Sequence, residues 1–167
     1  MKIAITDTNI FIDCIKIGFL EYLFEIDYEI HTTEFVLNEF HEHQKQILDK
    51  FIQSGNLLVK TFDADELETL INLDVPSGLS SIDKGVFYFA TLNEKYEVFT
   101  NDGLLRKTCQ KNGIQIHGII WIFDKLIEKK KVTPPQAIQA LEKLIRGYHR
   151  LPLDECRKRF NDWRAII

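Results

Sequence analysis

The feature that most constrains the fold is an alternation: short apolar runs with strand character are separated by stretches with helical periodicity. Ile3-Ala4-Ile5 opens a buried strand, and residues 9–25 carry apolar side chains at helical spacing. Glu29-Ile30-His31 is a weaker strand, and Thr32-Thr33 caps a helix through Phe35, Val36, Leu37 and Phe40. Helix 44–53 stops near Gly55, Leu57-Leu58-Val59 is a strand, and 63–73 reads as an acidic helix broken by Pro76-Ser77-Gly78. Helix 81–94, strand 97–100, helix 104–111 and strand 114–117 follow, and this order predicts an α/β parallel sheet. Beyond them the chain is helical. Thr133-Pro134-Pro135-Gln136 supplies a cap, a proline at the first helical position and a glutamine at N3, for a helix stopping near Gly147, and a last helix covers 153–166.

Composition narrows the class. At 167 residues with 45% hydrophobic and 28% charged side chains the chain can bury a core, so extensive disorder is excluded. No apolar stretch reaches the roughly 20 residues of a bilayer span, and Asp7 and Asp13 interrupt what would be the apolar region of a signal peptide. Three cysteines with no CxxC spacing argue against a disulfide framework or a zinc ribbon, and the expected location is cytoplasmic. The net charge of −4 hides an asymmetry: residues 1–124 hold 10 Lys+Arg and 20 Asp+Glu, whereas 125–167 hold 11 and 5. A basic tail of that kind suits phosphate backbones or is simply a solvated helical face.

The chemistry lies in carboxylates at strand ends. Asp7 follows the first strand and Asp102 the fourth; each is also a natural helix N-cap. Asp83, three residues after Ser80, has a capping-box reading, whereas Glu39, inside a helix beside its apolar stripe, cannot be a cap. In an open parallel sheet the carboxyl ends of the strands and the N-termini of the following helices share one rim, so Asp7, Asp83 and Asp102 converge there. Carboxylates crowded together repel, and either their pKa values rise or a divalent cation neutralises them. An all-oxygen set favours Mg²⁺ or Mn²⁺ over zinc.

Asp7-Thr8-Asn9, Glu39 within Asn38-Glu39-Phe40, Ser80-Ser81-Ile82-Asp83 and Thr100-Asn101-Asp102 resemble the four acidic motifs of PIN-domain ribonucleases. The resemblance covers residues 1 to 125. It implies a three-layer α/β/α fold with a short parallel central sheet and additional C-terminal helices, one domain over 1–167 with its core in 1–125 and a helical section in 126–167. It also implies Mg²⁺- or Mn²⁺-dependent cleavage of RNA, as in the toxin halves of bacterial VapBC toxin-antitoxin pairs, with Asp7, Glu39, Asp83 and Asp102 as catalytic and metal-binding acids. Asn9 and Thr100 would support them, and an antitoxin would be the partner of a toxin. Residues from Gly118 to Lys130 and the helices beyond look like the C-terminal section of a PIN subgroup described as nucleic-acid binding. One departure is Leu105-Arg106-Lys107 where some members add a further acid, which bears on a second metal site. Candidate RNA contacts are Lys84, Arg106, Lys107, Lys129, Lys130 and Lys131.

Other readings are a catalytically inactive PIN-like module that binds protein or RNA, and a phosphatase or receiver-type phosphoacceptor domain. The last two lack their marks: position 9 is Asn where such a phosphatase has a second Asp, and no adjacent acids or late-strand lysine suit a receiver. His41 and His43 lack HExxH spacing, and His31, His117 and His149 are isolated. Cys14 and Cys109 read as small apolar core groups, and Tyr148, Phe160 and Trp163 as fillers of a helix interface. The consecutive run Ile119-Ile120-Trp121-Ile122-Phe123 covers more than one helix face, which predicts either cover by the tail helix or, as the favoured reading, a homodimer.

Overall fold

The structure, a computed structural model, describes residues 1–147 and 151–167. Tyr148 and His149 lie outside the described residues. Strands β1 (Lys2–Thr6), β2 (Tyr28–Thr33), β3 (Leu57–Lys60), β4 (Tyr96–Phe99) and β5 (Ile116–His117) form one parallel sheet in the order β3-β2-β1-β4-β5. The chain winds outward from β1 through β2 to β3, then returns to the other side of β1 for β4 and β5. The direction of winding reverses between β1 and β4, and open α/β sheets form clefts at such a reversal.

The order of strands and helices is the one the sequence predicts, with differences in extent. Residues 9–25 form two helices, α1 (Thr8–Ile17) and α2 (Leu20–Leu23), instead of one. Gly18 between them takes φ 73°, and its N–H closes α1 on the Cys14 and Ile15 carbonyls. A left-handed residue that glycine adopts without steric cost ends the helix there. Helix α3 (Glu34–Glu39) ends at Glu39, and α4 (Glu42–Gln53) starts two residues earlier than the apolar spacing indicates. Helix α5 (Ala64–Ile71) and α6 (Ser81–Thr91) precede β4, and α7 (Gly103–Lys111) joins β4 to β5.

Strand alternation sorts the layers. His31 and Tyr96 face α6, where each lies against Phe89. Tyr28, Phe99 and His117 face the other way, against Trp121 of α8 (Ile119–Glu128). The sheet is therefore sandwiched between helices in the three layers expected. On the α8 face the buried Glu97 carboxylate accepts from Lys2 Nζ (2.6 Å) and Tyr28 Oη (2.6 Å) and pairs with His117 Nε2 (3.0 Å), so every oxygen is satisfied. Burial holds the His117 imidazole below its ordinary pKa, against the pull of Glu97.

Helices α9 (Pro134–Gly147) and α10 (Leu153–Arg164) complete the α8 side. Thr133 and Gln136 cap α9 reciprocally, as their spacing predicts: Thr133 N–H donates to Gln136 Oε1 (2.8 Å) and Gln136 N–H to Thr133 Oγ1 (3.4 Å). The apolar run of α8 does not wait for a second chain. Ile119, Ile120, Ile122 and Phe123 are buried within the described residues, with Phe123 in edge contact with Phe19 and Trp163. Asp124 ties α10 down, accepting from Arg159 Nε (2.7 Å) and Trp163 Nε1 (2.8 Å). The α8 run is covered within the chain, by the sheet, Phe19, α9 and Trp163 of α10, so its apolar character does not by itself call for the homodimer that the sequence favours. Trp163 is an interface side chain, and Cys14, Cys109 and Cys156 are free and buried.

Candidate active site

A cavity of about 350 Å³ opens at the carboxyl rim of the sheet, lined by Asp7, Thr8, Asn9, Ile12, Glu39, Ser80, Asp83 and Asp102. Its four acids come from four separate segments. Asp7 follows β1 and lies at the winding reversal, where its N–H donates to the Phe99 carbonyl at the end of β4 (3.1 Å). Asp102 follows β4, Glu39 ends α3, and Asp83 sits in the first turn of α6.

Capping and site formation are one arrangement here, where the sequence offered them as alternatives. Asp7 Oδ1 accepts from Ile10 N–H at 3.0 Å, and Asp102 Oδ1 from Leu105 N–H at 2.8 Å, so each acid closes a helix N-terminus. Ser80 caps α6 through Asp83 N–H (3.1 Å) while its hydroxyl donates to Asp83 Oδ2 (2.7 Å). The capping bonds fix the carboxylates at the rim.

Two threonines hold the remaining geometry. Thr100 Oγ1 donates to Asp7 Oδ2 and accepts from Asp102 N–H (3.0 Å), linking two of the acids through one hydroxyl. Thr8 Oγ1 donates to Glu39 Oε2, a contact the sequence reading missed, although Thr8 stands between Asp7 and Asn9 in the motif. Asn9 lines the cavity.

The electrostatics follow from burial and crowding. Asp7, 2% exposed, is pushed up to about 7, first by burial and then by the charges of Asp83 and Asp102, against the bonds from Thr100 and Ile10. Asp83 is raised by burial and by the neighbouring Asp102 and Glu39. Such a set suits a hard divalent cation, which stabilises the charged forms that burial and mutual repulsion disfavour. Among the described residues no three His, Cys, Asp or Glu side chains stand together at ligand spacing. The acids ring the cavity, leaving room for a cation that keeps part of its water shell, as Mg²⁺ does.

The candidate RNA contacts divide by position. Lys84 follows Asp83 in α6, and Arg106 and Lys107 lie in α7 just beyond Asp102. Lys129, Lys130 and Lys131 follow α8 at the opposite end of the sheet, where Lys129 pairs with Asp27 and Lys131 Nζ with Glu25 (2.9 Å), both ahead of β2.

An open parallel sheet carrying four converging carboxylates at its winding reversal defines an α/β domain with an acidic, cation-suited rim. The chain belongs to the PIN-domain family: the family model DUF3368, described as PIN domain, matches residues 3–164. A solved structure to which the chain is similar, that of the PIN domain endonuclease Utp24, shares 16% identity over 70% of this chain and 84% of that one, with a TM-score of 0.48. Among curated proteins none matches. Among the described residues no helix is long and apolar enough to cross a membrane.

Proposed function

We propose that the chain is a metal-dependent endoribonuclease that hydrolyses phosphodiester bonds at the acidic rim, with 1–125 as the core and 126–167 as a helical section of the same domain. One observation carries the reading: Asp7, Glu39, Asp83 and Asp102, from four distant segments, line a single cavity. These four carboxylates would hold Mg²⁺ or Mn²⁺. When bound, such an ion lowers the pKa of water and offsets charge that develops on the phosphate oxygens.

The protein's own groups prepare that chemistry. Asp7 holds a proton below about pH 7, and that proton must leave before both oxygens can act as ligands. Thr100 and Ser80 fix the orientation of Asp7 and Asp83, so little reorganisation remains when substrate arrives. RNA as the substrate follows from the resemblance to PIN-domain ribonucleases. A toxin role, with an antitoxin as partner or with a homodimer, would be added to this activity and rests on the same resemblance.

The test is cleavage of single-stranded and structured RNA by the purified chain with Mg²⁺ or Mn²⁺, beside Asp7→Asn and Asp83→Asn. The expected result is cation-dependent cleavage that both substitutions reduce by at least about 100-fold, in keeping with the several kcal/mol a bound cation contributes to transition-state charge. Full activity in either folded variant would refute the site.

A further inference from the structure

A second cavity, of about 260 Å³, lies beside the acidic one, between α7, the start of α8 and α10. Its walls include Asn101, Arg106, His117, Trp121, Glu155 and Arg159. The two cavities share the β4–α7 connection residue by residue. Thr100 bonds Asp7, Asn101 lines the second cavity, and Asp102 lines the first. Consecutive residues of one short connection thus line both cavities, which places the second cavity next to the acidic rim.

The wall is built and held. Asn101 Nδ2 donates to the buried Asp13 carboxylate (3.3 Å), and Asn101 Oδ1 accepts from Ile119 N–H (3.0 Å), fastening α1, the β4–α7 connection and α8 together. Arg106 Nη1 donates to the Thr100 carbonyl (3.0 Å). Gly118 permits this closeness: a Cβ there would lie 2.6 Å from Asn101 Oδ1 and 3.3 Å from Arg106 Nη1. On the far wall, Arg159 is anchored by Asp124. His117 and Trp121, which both line the cavity, stack on each other with ring centroids 3.7 Å apart, so each ring is held in place by the other.

The chemistry of the two cavities is complementary. The first is lined by carboxylates and holds no basic side chain among its lining residues, so it offers an RNA backbone no side-chain cation. The second places two guanidinium groups, an aromatic pair and a single carboxylate around a space for about nine water volumes at roughly 30 Å³ each. Guanidinium groups recognise phosphate, aromatic faces recognise bases, and a carboxylate accepts from exocyclic base amines.

We propose that this cavity is a substrate subsite that takes the nucleotide next to the scissile phosphate, with Arg106 and Arg159 on its phosphate, the His117–Trp121 pair beside its base and Glu155 as a base-edge acceptor. The assignment rests on the ribonuclease reading above and deepens it. It gives the C-terminal helix a role in substrate binding: α10 forms the wall that turns an open rim into a pocket.

The experiment measures fluorescence anisotropy of a labelled five-nucleotide RNA in Mg²⁺, on an Asp7→Asn background that blocks cleavage. Arg106→Gln and Glu155→Trp, the second filling the cavity, are expected to weaken binding at least tenfold. Arg106→Lys, which keeps the charge, retains part of the affinity, and Arg106→Gln lowers the salt slope by about one. A Mn²⁺-induced gain in melting temperature, measured for each substitution on the otherwise unaltered chain, shows that the rim is intact. Unchanged RNA affinity in both Arg106→Gln and Glu155→Trp would overturn the subsite. Displacement of the RNA by a 5′-mononucleotide of equal affinity would also overturn it, because the cavity would then be a site for free nucleotides. Cleavage by the unaltered chain is read separately, so persisting cleavage with unchanged binding sinks this proposal alone, and absent cleavage sinks the ribonuclease reading.

Discussion

Asp7→Asn should make the protein more stable in the absence of divalent cations, and the size of the gain follows from burial. The carboxyl titrates near 3.8 when unperturbed and near 7 in the folded chain. Because the folded state holds the proton more tightly, stability is fully present below about pH 4 and is lost as pH rises through 7. A difference of about 3 units at 1.36 kcal/mol each gives on the order of 4 kcal/mol lost above pH 7. Asparagine removes the charge and keeps most of the local structure. Its Oδ1 can accept from Ile10 N–H as an N-cap, and Thr100 Oγ1 can accept from its amide. Allowing for imperfect replacement of those bonds, the gain at pH 8 is about 2–3 kcal/mol, or on the order of 5–10 °C in Tm for a chain of this size. Thermal melts from pH 4 to pH 8 with chelator should show the unaltered chain losing stability across that range while the variant changes less. Equal pH dependence in the two proteins, or a less stable variant at pH 8, would refute the burial argument.

Further predictions concern the rim, the tail and the core. Mn²⁺ affinity should fall as pH is lowered below about 7, by up to tenfold per unit, because the ion competes with the proton on Asp7; calorimetric titrations at pH 6 and pH 8 measure this. Thr100→Val, which removes the hydroxyl that bonds Asp7 and Asp102 N–H, should raise the Asp7 pKa further and lower both cation affinity and cleavage, visible as a shifted pH profile. Charge reversal at Lys129 and Lys131 should leave denaturant melts nearly unchanged, since both pair with acids at an exposed surface, and should change the salt slope of RNA binding less than Arg106→Gln does. Phe123→Ala should cost about 3–5 kcal/mol by the same melts, because the ring is fully enclosed between Phe19 and Trp163.

The alternation of strands and helices was legible because parallel strands covered on both faces read as apolar runs, as in Ile3-Ala4-Ile5. The break at Gly18 was less so: the apolar spacing continues through it, and only the left-handed backbone shows that the helix ends. The acids were readable as a set because three of them follow strands or open helices, positions that the sheet gathers on one rim. Glu39 depended on the resemblance, since it ends a helix and reaches the cavity beside Thr8. The part of the α8 cover that α10 contributes was not legible, because Asp124 holds Arg159 and Trp163 from a helix more than 30 residues away. The same contact fastens the helix that brings Arg159 and Glu155 to the cavity Arg106 also lines, so the second cavity has no motif in the sequence.

The proposed ribonuclease activity requires that the four acids bind a cation and cut RNA as one event. A Mn²⁺ titration of one preparation, followed at once by ion binding and by RNA cleavage, tests this directly. Cleavage is expected to rise with the occupancy of the bound ion, and Asp102→Asn to weaken binding and cleavage together. Binding at the rim with no cleavage at saturation would make the chain an inactive PIN-like module and contradict the proposed function.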